Sequence, residues 1–112
     1  NLRIQVLDTN GNVIAIPITG LRRPCATAIR GDKLLVAELA GRAVLLDKEF
    51  KILSELGDNP VVEQRANFGV PPKDWKEGVF TAPHGCAIDY DGNLYIQDWN
   101  QWGRITKLVK TP

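Results

Sequence analysis

What the chain lacks narrows its class before any motif is read. No apolar run approaches the roughly 18 consecutive residues of a membrane-crossing helix, so no membrane span is expected. Neither sign of charge dominates. Fourteen Lys and Arg stand against 13 Asp and Glu, and a formal net charge of +1 gives no electrostatic argument for nucleic acid or an anionic membrane as partner. An initiator methionine and a signal peptide are both missing, an absence that a mature or trimmed chain would share. Two cysteines are too few to fix a compartment, and histidine occurs once, at His84. No Ser-His-Asp set, phosphate-cradling Gly-rich loop or close carboxylate pair stands out, so no catalytic centre is visible.

What is present is a repeat. Arg-Pro-Cys-Ala-Thr-Ala-Ile at Arg23–Ile29 leads into Lys33–Glu38 and then Gly41-Arg42. Ala-Pro-His-Gly-Cys-Ala-Ile at Ala82–Ile88 leads into Asn93–Asp98 and then Gly103-Arg104. The last part occurs a third time, at Arg3–Asp8. Aligned on Pro24 and Pro83, Cys25 faces His84, Thr27 faces Cys86, Glu38 faces Asp98 and Arg42 faces Arg104. Repeats are read first because missing them miscalls the whole fold.

Each unit divides into short apolar runs separated by Gly, Asn and Asp, a strand signal rather than a helix signal. The runs predict strands at Arg3–Asp8, Val13–Thr19, Cys25–Arg30, Lys33–Glu38, Arg42–Asp47, Lys51–Leu56, His84–Tyr90, Asn93–Asp98 and Arg104–Val109. Asp91-Gly92 and Asn10-Gly11-Asn12 supply turns that suit positive φ. The expectation is an all-β chain with strands in groups of two, four and three.

Four-stranded units with a small-residue first strand are the signature of β-propeller blades. The residues resemble the NHL-repeat family: Pro83 before the small-residue strand, the Asp91-Gly92-Asn93 turn, Leu94-Tyr95-Ile96 ending at Asp98, then Arg104-Ile105. The earlier unit departs from that pattern, with Gly31-Asp32-Lys33 at the turn and Glu38 for the aspartate. The resemblance implies a partial β-propeller, about two and a half four-stranded antiparallel blades of a six-bladed ring. Residues 1–20 would be the last two strands of one blade, 21–57 a complete blade, 58–81 an inter-blade insertion and 82–112 three strands of a further blade. Blades of about 40 residues cannot close a ring within 112 residues, so the expected partners are the remaining blades or further copies of the chain.

The insertion is the one departure from the repeat: Pro24 and Pro83 lie 59 residues apart where one blade takes roughly 40. Its Phe68, Trp75 and Phe80 argue for an ordered loop over one face, and long loops on rigid scaffolds often carry binding residues. Trp75 is therefore a binding candidate, against a plain role in pinning the loop. Trp99, Asn100, Gln101 and Trp102 form the other candidate surface. Two indoles with two amides between them suit a protein, peptide or small-molecule ligand, whereas the aligned loop, Leu39-Ala40-Gly41, is featureless.

His84 and Cys25 occupy the same position in neighbouring units, which the propeller resemblance implies is close to the mouth of the central channel. They are candidate zinc ligands, imidazole and thiolate, but zinc normally takes at least three protein ligands. Pro83-His84 with Asp98 and Gly103-Arg104 also resembles the blade that supplies a zinc histidine in the peptidyl-amidoglycolate lyase family. Asp89–Asn93 does not make a calcium loop, because counting from Asp89 puts Gly92 fourth and Asn100 twelfth, where an EF-hand needs Gly sixth and Glu twelfth. Three functional readings follow: a binding and interaction scaffold, part of a metal-dependent propeller lyase or hydrolase, or a propeller part that closes by self-association.

Overall fold

A computed structural model describes residues 2–112; Asn1, first in the span assigned to the opening strand pair, lies outside the described residues. The chain forms three antiparallel sheets. β1 (Ile4–Leu7) and β2 (Val13–Ile18) make the first, β3 (Pro24–Arg30), β4 (Lys33–Glu38), β5 (Arg42–Leu46) and β6 (Ile52–Leu56) the second, and β7 (Pro83–Ile88), β8 (Leu94–Asp98) and β9 (Arg104–Leu108) the third. Each sheet is a meander with strands in chain order, and no sheet closes on itself. All nine predicted strands are present, with ends displaced by two residues at most. Among the described residues the only helical turns are two 3-10 turns, Val62–Gln64 and Pro72–Asp74, both in the insertion.

The second sheet sits between the other two, and its sequence shows why. Strands buried on both faces read as continuous apolar runs rather than alternating ones. Leu34-Leu35-Val36-Ala37 of β4 and Ala43-Val44 of β5 are all buried. Alternate residues point to opposite faces. Leu35 and Ala43 join Phe80, Ile88, Leu94 and Ile96 in a cluster against the third sheet. Leu34, Val36, Val44 and Leu46 join Leu21, with Ile4 and Ile18 of the first sheet packed on them. Each of the fully buried Leu, Val, Ile and Phe side chains among these contributes about 1.5–3 kcal/mol relative to exposure.

The aligned acid–arginine pairs tie their sheets together in the same way. Buried Glu38, at the end of β4, accepts from Arg42 Nε at 2.5 Å and Nη2 at 3.0 Å, and from the backbone amide of Arg22 just ahead of β3. Buried Asp98, at the end of β8, accepts from Arg104 Nε at 3.0 Å and Nη2 at 2.7 Å, and from the amides of Thr81 and Ala82 just ahead of β7. One carboxylate thus joins the second strand, the third strand and the lead-in to the first. Arg104 also donates to the carbonyls of Lys76 and Val79, which fastens the insertion to the same point.

Three hairpin turns are built on a single aspartate each. Asp8, Asp47 and Asp89 each accept, through one carboxylate oxygen, the amides two and four residues further on: Asn10 and Asn12, Glu49 and Lys51, Asp91 and Asn93. The fourth residue of each turn has positive φ. Gly11 and Gly92 take it freely, whereas Phe50 holds φ 63° and drops its ring onto the Leu34–Leu46 cluster. These side-chain bonds shorten the strand predicted to run through Tyr90: β7 ends at Ile88 because Asp89 draws the next residues into the turn. Asp89 also receives the Asn93 side-chain amide and the Tyr95 hydroxyl, and Asn93 in particular holds its carboxyl down to about 2 from an ordinary 3.8. A depressed acid stabilises the fold above its unfolded value. The contribution of this turn is therefore complete above about pH 4 and is lost as pH falls through about 2. A carboxyl titration followed by NMR is expected to place the Asp89 midpoint near 2; a midpoint near 3.8 would mean that the turn does not prefer the ionised form.

Candidate functional site

The insertion is ordered by its own polar and apolar anchors, beginning at Asn59. This side chain is 1% exposed, yet every polar group on it is used. Its Nδ2 donates to the Phe80 carbonyl at 2.9 Å and to Gln64 Oε1 at 3.1 Å, and its Oδ1 accepts the Val61 amide at 2.9 Å. The Asn59 amide donates to the Gly41 carbonyl, and its carbonyl accepts Arg65 Nε. Satisfying a buried amide this fully fixes the loop, since an orphaned group costs about 1–3 kcal/mol. At the far end Phe80 is fully buried in the cluster between the second and third sheets, and its amide donates to the Gly57 carbonyl at 3.0 Å. The two ends of the insertion therefore meet.

Trp75 has a role inside this loop. Its indole N–H donates to the Val70 carbonyl at 2.9 Å, and the Arg104 guanidinium lies 5.0 Å from its ring centre. Half-buried, with its one donor used internally, it pins the insertion to the Asp98–Arg104 tie.

The other candidates gather at one place. The backbone amide of Trp99 donates to the Ala82 carbonyl at 2.8 Å and that of Gln101 to the Phe68 carbonyl at 3.0 Å, so the β8–β9 loop is bonded both to the lead-in of β7 and to the insertion. This places the Trp99 ring 4.5 Å from Phe68 and 4.9 Å, edge-on, from the His84 imidazole. Trp99 and Trp102 each remain 50% exposed and Phe68 38%. Asn100 shapes the loop, with Oδ1 accepting the amides of Trp102 and Gly103. Its Nδ2 is buried without a partner, one of two such side-chain atoms among the described residues. Gln101 keeps its side chain in an exposed position.

Phe68 is the member that sequence reasoning did not select, naming it only as one aromatic of the insertion. No local signal could have paired it with a residue 31 positions later; only its aromatic character marked it.

Cys25 and His84 are neighbours on adjacent sheets. Cys25 Sγ lies 3.2 Å from the Pro83 carbonyl, 3.5 Å from that of Ala37 and 3.8 Å from that of His84, so the thiol donates to backbone oxygens. Burial pushes this thiol up. Among the described residues, no three His, Cys, Asp or Glu side chains come together as a metal-holding group. Cys25 and Cys86 are both free thiols.

What the arrangement offers chemically is a surface: three aromatic rings from three separate segments, with a second indole on the same loop. Rings in mutual contact leave no gap between them for a caged cation, but they present edges and faces to a flat apolar partner. The chain matches no protein-family model and no curated protein.

Proposed function

We propose that this chain is part of an NHL-type β-propeller and acts as a binding scaffold, with Phe68, His84, Trp99 and Trp102 as its recognition surface for a protein or peptide partner. The observation that carries this reading is the convergence of the Phe68, His84 and Trp99 rings from the insertion, β7 and the β8–β9 loop while the two larger rings stay substantially exposed. Folding alone would favour burying them. Tryptophan and tyrosine anchors with a water-excluding surround are what concentrate binding energy at interfaces. The propeller part of the reading rests on the repeat, on three successive antiparallel sheets with strands in chain order, and on the acid–arginine tie that the second and third of them share.

The test is selection of binders from a displayed random-peptide library, followed by affinity measurement on Trp99→Ala and Trp102→Ala. Losing an anchor of this kind costs at least about 2 kcal/mol, or roughly 30-fold in Kd. Selected peptides should lose that much while the thermal melt stays within a few degrees. Peptides indifferent to both substitutions would sink the reading.

Self-association is a second reading with its own observation. Among the described residues β9 has an unpaired edge, with Ile105 72% exposed and Val109, just past the strand, 66%, and β2 exposes Val13, Ile14 and Ile16. Such edges template pairing with another chain. Sedimentation over a hundredfold concentration range separates the two readings, because self-closure gives one defined oligomer and the scaffold reading requires none. The donor set does not favour a metal-dependent lyase or hydrolase, since Cys25 and His84 are two ligands where zinc takes at least three.

A further inference from the structure

A second site, unconnected with the aromatic surface, lies between the second and third sheets at the end where the β3–β4 and β7–β8 turns meet. There the sheets diverge around a cleft of about 480 Å³, within the size range of small-molecule sites. Its floor is aliphatic: Leu45 and Leu56 from the second sheet, Ile88, Leu94 and Leu108 from the third.

The rim is polar and its open donors are cationic. Arg30 donates Nε to the Ile88 carbonyl at 2.8 Å and stacks its guanidinium 4.2 Å from the centre of the Tyr90 ring. That fixes the side chain at the cleft while its terminal nitrogens make no hydrogen bond to the described residues. Lys110 lies along the same turn, its Nζ 3.8 Å from where a Cβ on Gly92 would stand, and forms no ion pair with them either. Lys33 is taken by Asp32 at 2.8 Å. Of the two rim carboxylates, Asp89 has its oxygens occupied by its own turn, which leaves Asp91 as the only open one.

From an aliphatic floor and two unpartnered cations on the rim beside one turn, we infer that the cleft binds a small amphipathic carboxylate, an alkyl chain lying between the sheets with its anionic head shared by Arg30 and Lys110. Charge-assisted bonds to a carboxylate are about twice as strong as neutral ones, so the head group selects the ligand and the chain supplies the burial.

Sodium octanoate is the probe, with 1-octanol as its uncharged counterpart, each titrated while the methyl signals of the protein are followed by NMR. Octanoate should shift the methyl resonances of Leu45, Leu56, Ile88, Leu94 and Leu108, and 1-octanol should bind about tenfold more weakly or worse. Lys110→Met, an exposed change that leaves the fold intact, should weaken octanoate about tenfold and leave 1-octanol unaffected. Equal binding of acid and alcohol would overturn the inference. So would octanoate shifts confined to exposed residues such as Val13 and Ile14, or floor signals unmoved up to the solubility limit of the probe.

Discussion

Replacing Glu38 by alanine is expected to lower stability by about 3–5 kcal/mol, because it strands a charge rather than merely deleting a bond. Glu38 is fully buried and Arg42 only 7% exposed, so the guanidinium left behind keeps only Glu55, at 3.1 Å, in reach. The Arg22 amide loses its acceptor in the same step. An arginine stays protonated at any accessible pH, so the stranded guanidinium has no neutral form to escape into. Urea unfolding followed by circular dichroism measures the loss. A paired Glu38→Leu, Arg42→Leu variant should recover much of it, since removing both charges leaves neither unpaired. A loss below about 1 kcal/mol, the range of exposed ion pairs, would show that water reaches the pair and that the tie does not hold the sheet.

Gly57→Ala is expected to cost about 2–5 kcal/mol, from strain at positive φ and from overpacking together. The residue sits at φ 60°, and a Cβ built there would stand 2.4 Å from two carbons of the Phe80 ring. Phe80 cannot retreat, being fully enclosed in the cluster of Leu35, Ala43 and Ile96. Gly78 is the control, with φ 73° and nothing within 4 Å of its would-be Cβ. Gly78→Ala should therefore cost only the backbone part, about 1 kcal/mol. If thermal denaturation gives the two variants equal losses, the close approach of Phe80 is not what Gly57 is for.

The strands were legible because each is bounded by turn chemistry that acts locally. Asn10-Gly11 and Asp91-Gly92 announce positive φ, and the apolar runs between them match the period of a sheet. The turn at Asp47 was less visible, since Phe50 takes the left-handed position that sequence reasoning reserves for Gly or Asn, and burial of its ring compensates. The aligned pairs Glu38–Arg42 and Asp98–Arg104 could be read as ties, but not the backbone amides that complete them, because those arrive from 16 or 17 residues away. The candidate surface was half readable. Trp99, Asn100, Gln101 and Trp102 stand together in sequence, whereas Phe68 and His84 reach Trp99 only through the Gln101–Phe68 and Trp99–Ala82 backbone bonds. The alignment of Cys25 with His84 was legible as proximity, and the thiol's contacts with the carbonyls of Ala37 and Pro83 were not, because they depend on side-chain direction.

Because the Gly57 carbonyl and the Phe80 amide meet at 3.0 Å, the excursion between them leaves and re-enters the scaffold through one doorway. The sheets on either side take their spacing from Phe80 and Asn59 rather than from the length of chain in between. Lengthening a loop with fixed ends costs little, about 0.6 kcal/mol per doubling. Positions of the insertion outside the contacts of Asn59, Phe68, Trp75 and Arg104 can thus change in sequence and number while the frame that presents them stays constant, which is the division of labour found between antibody loops and the sandwich that carries them.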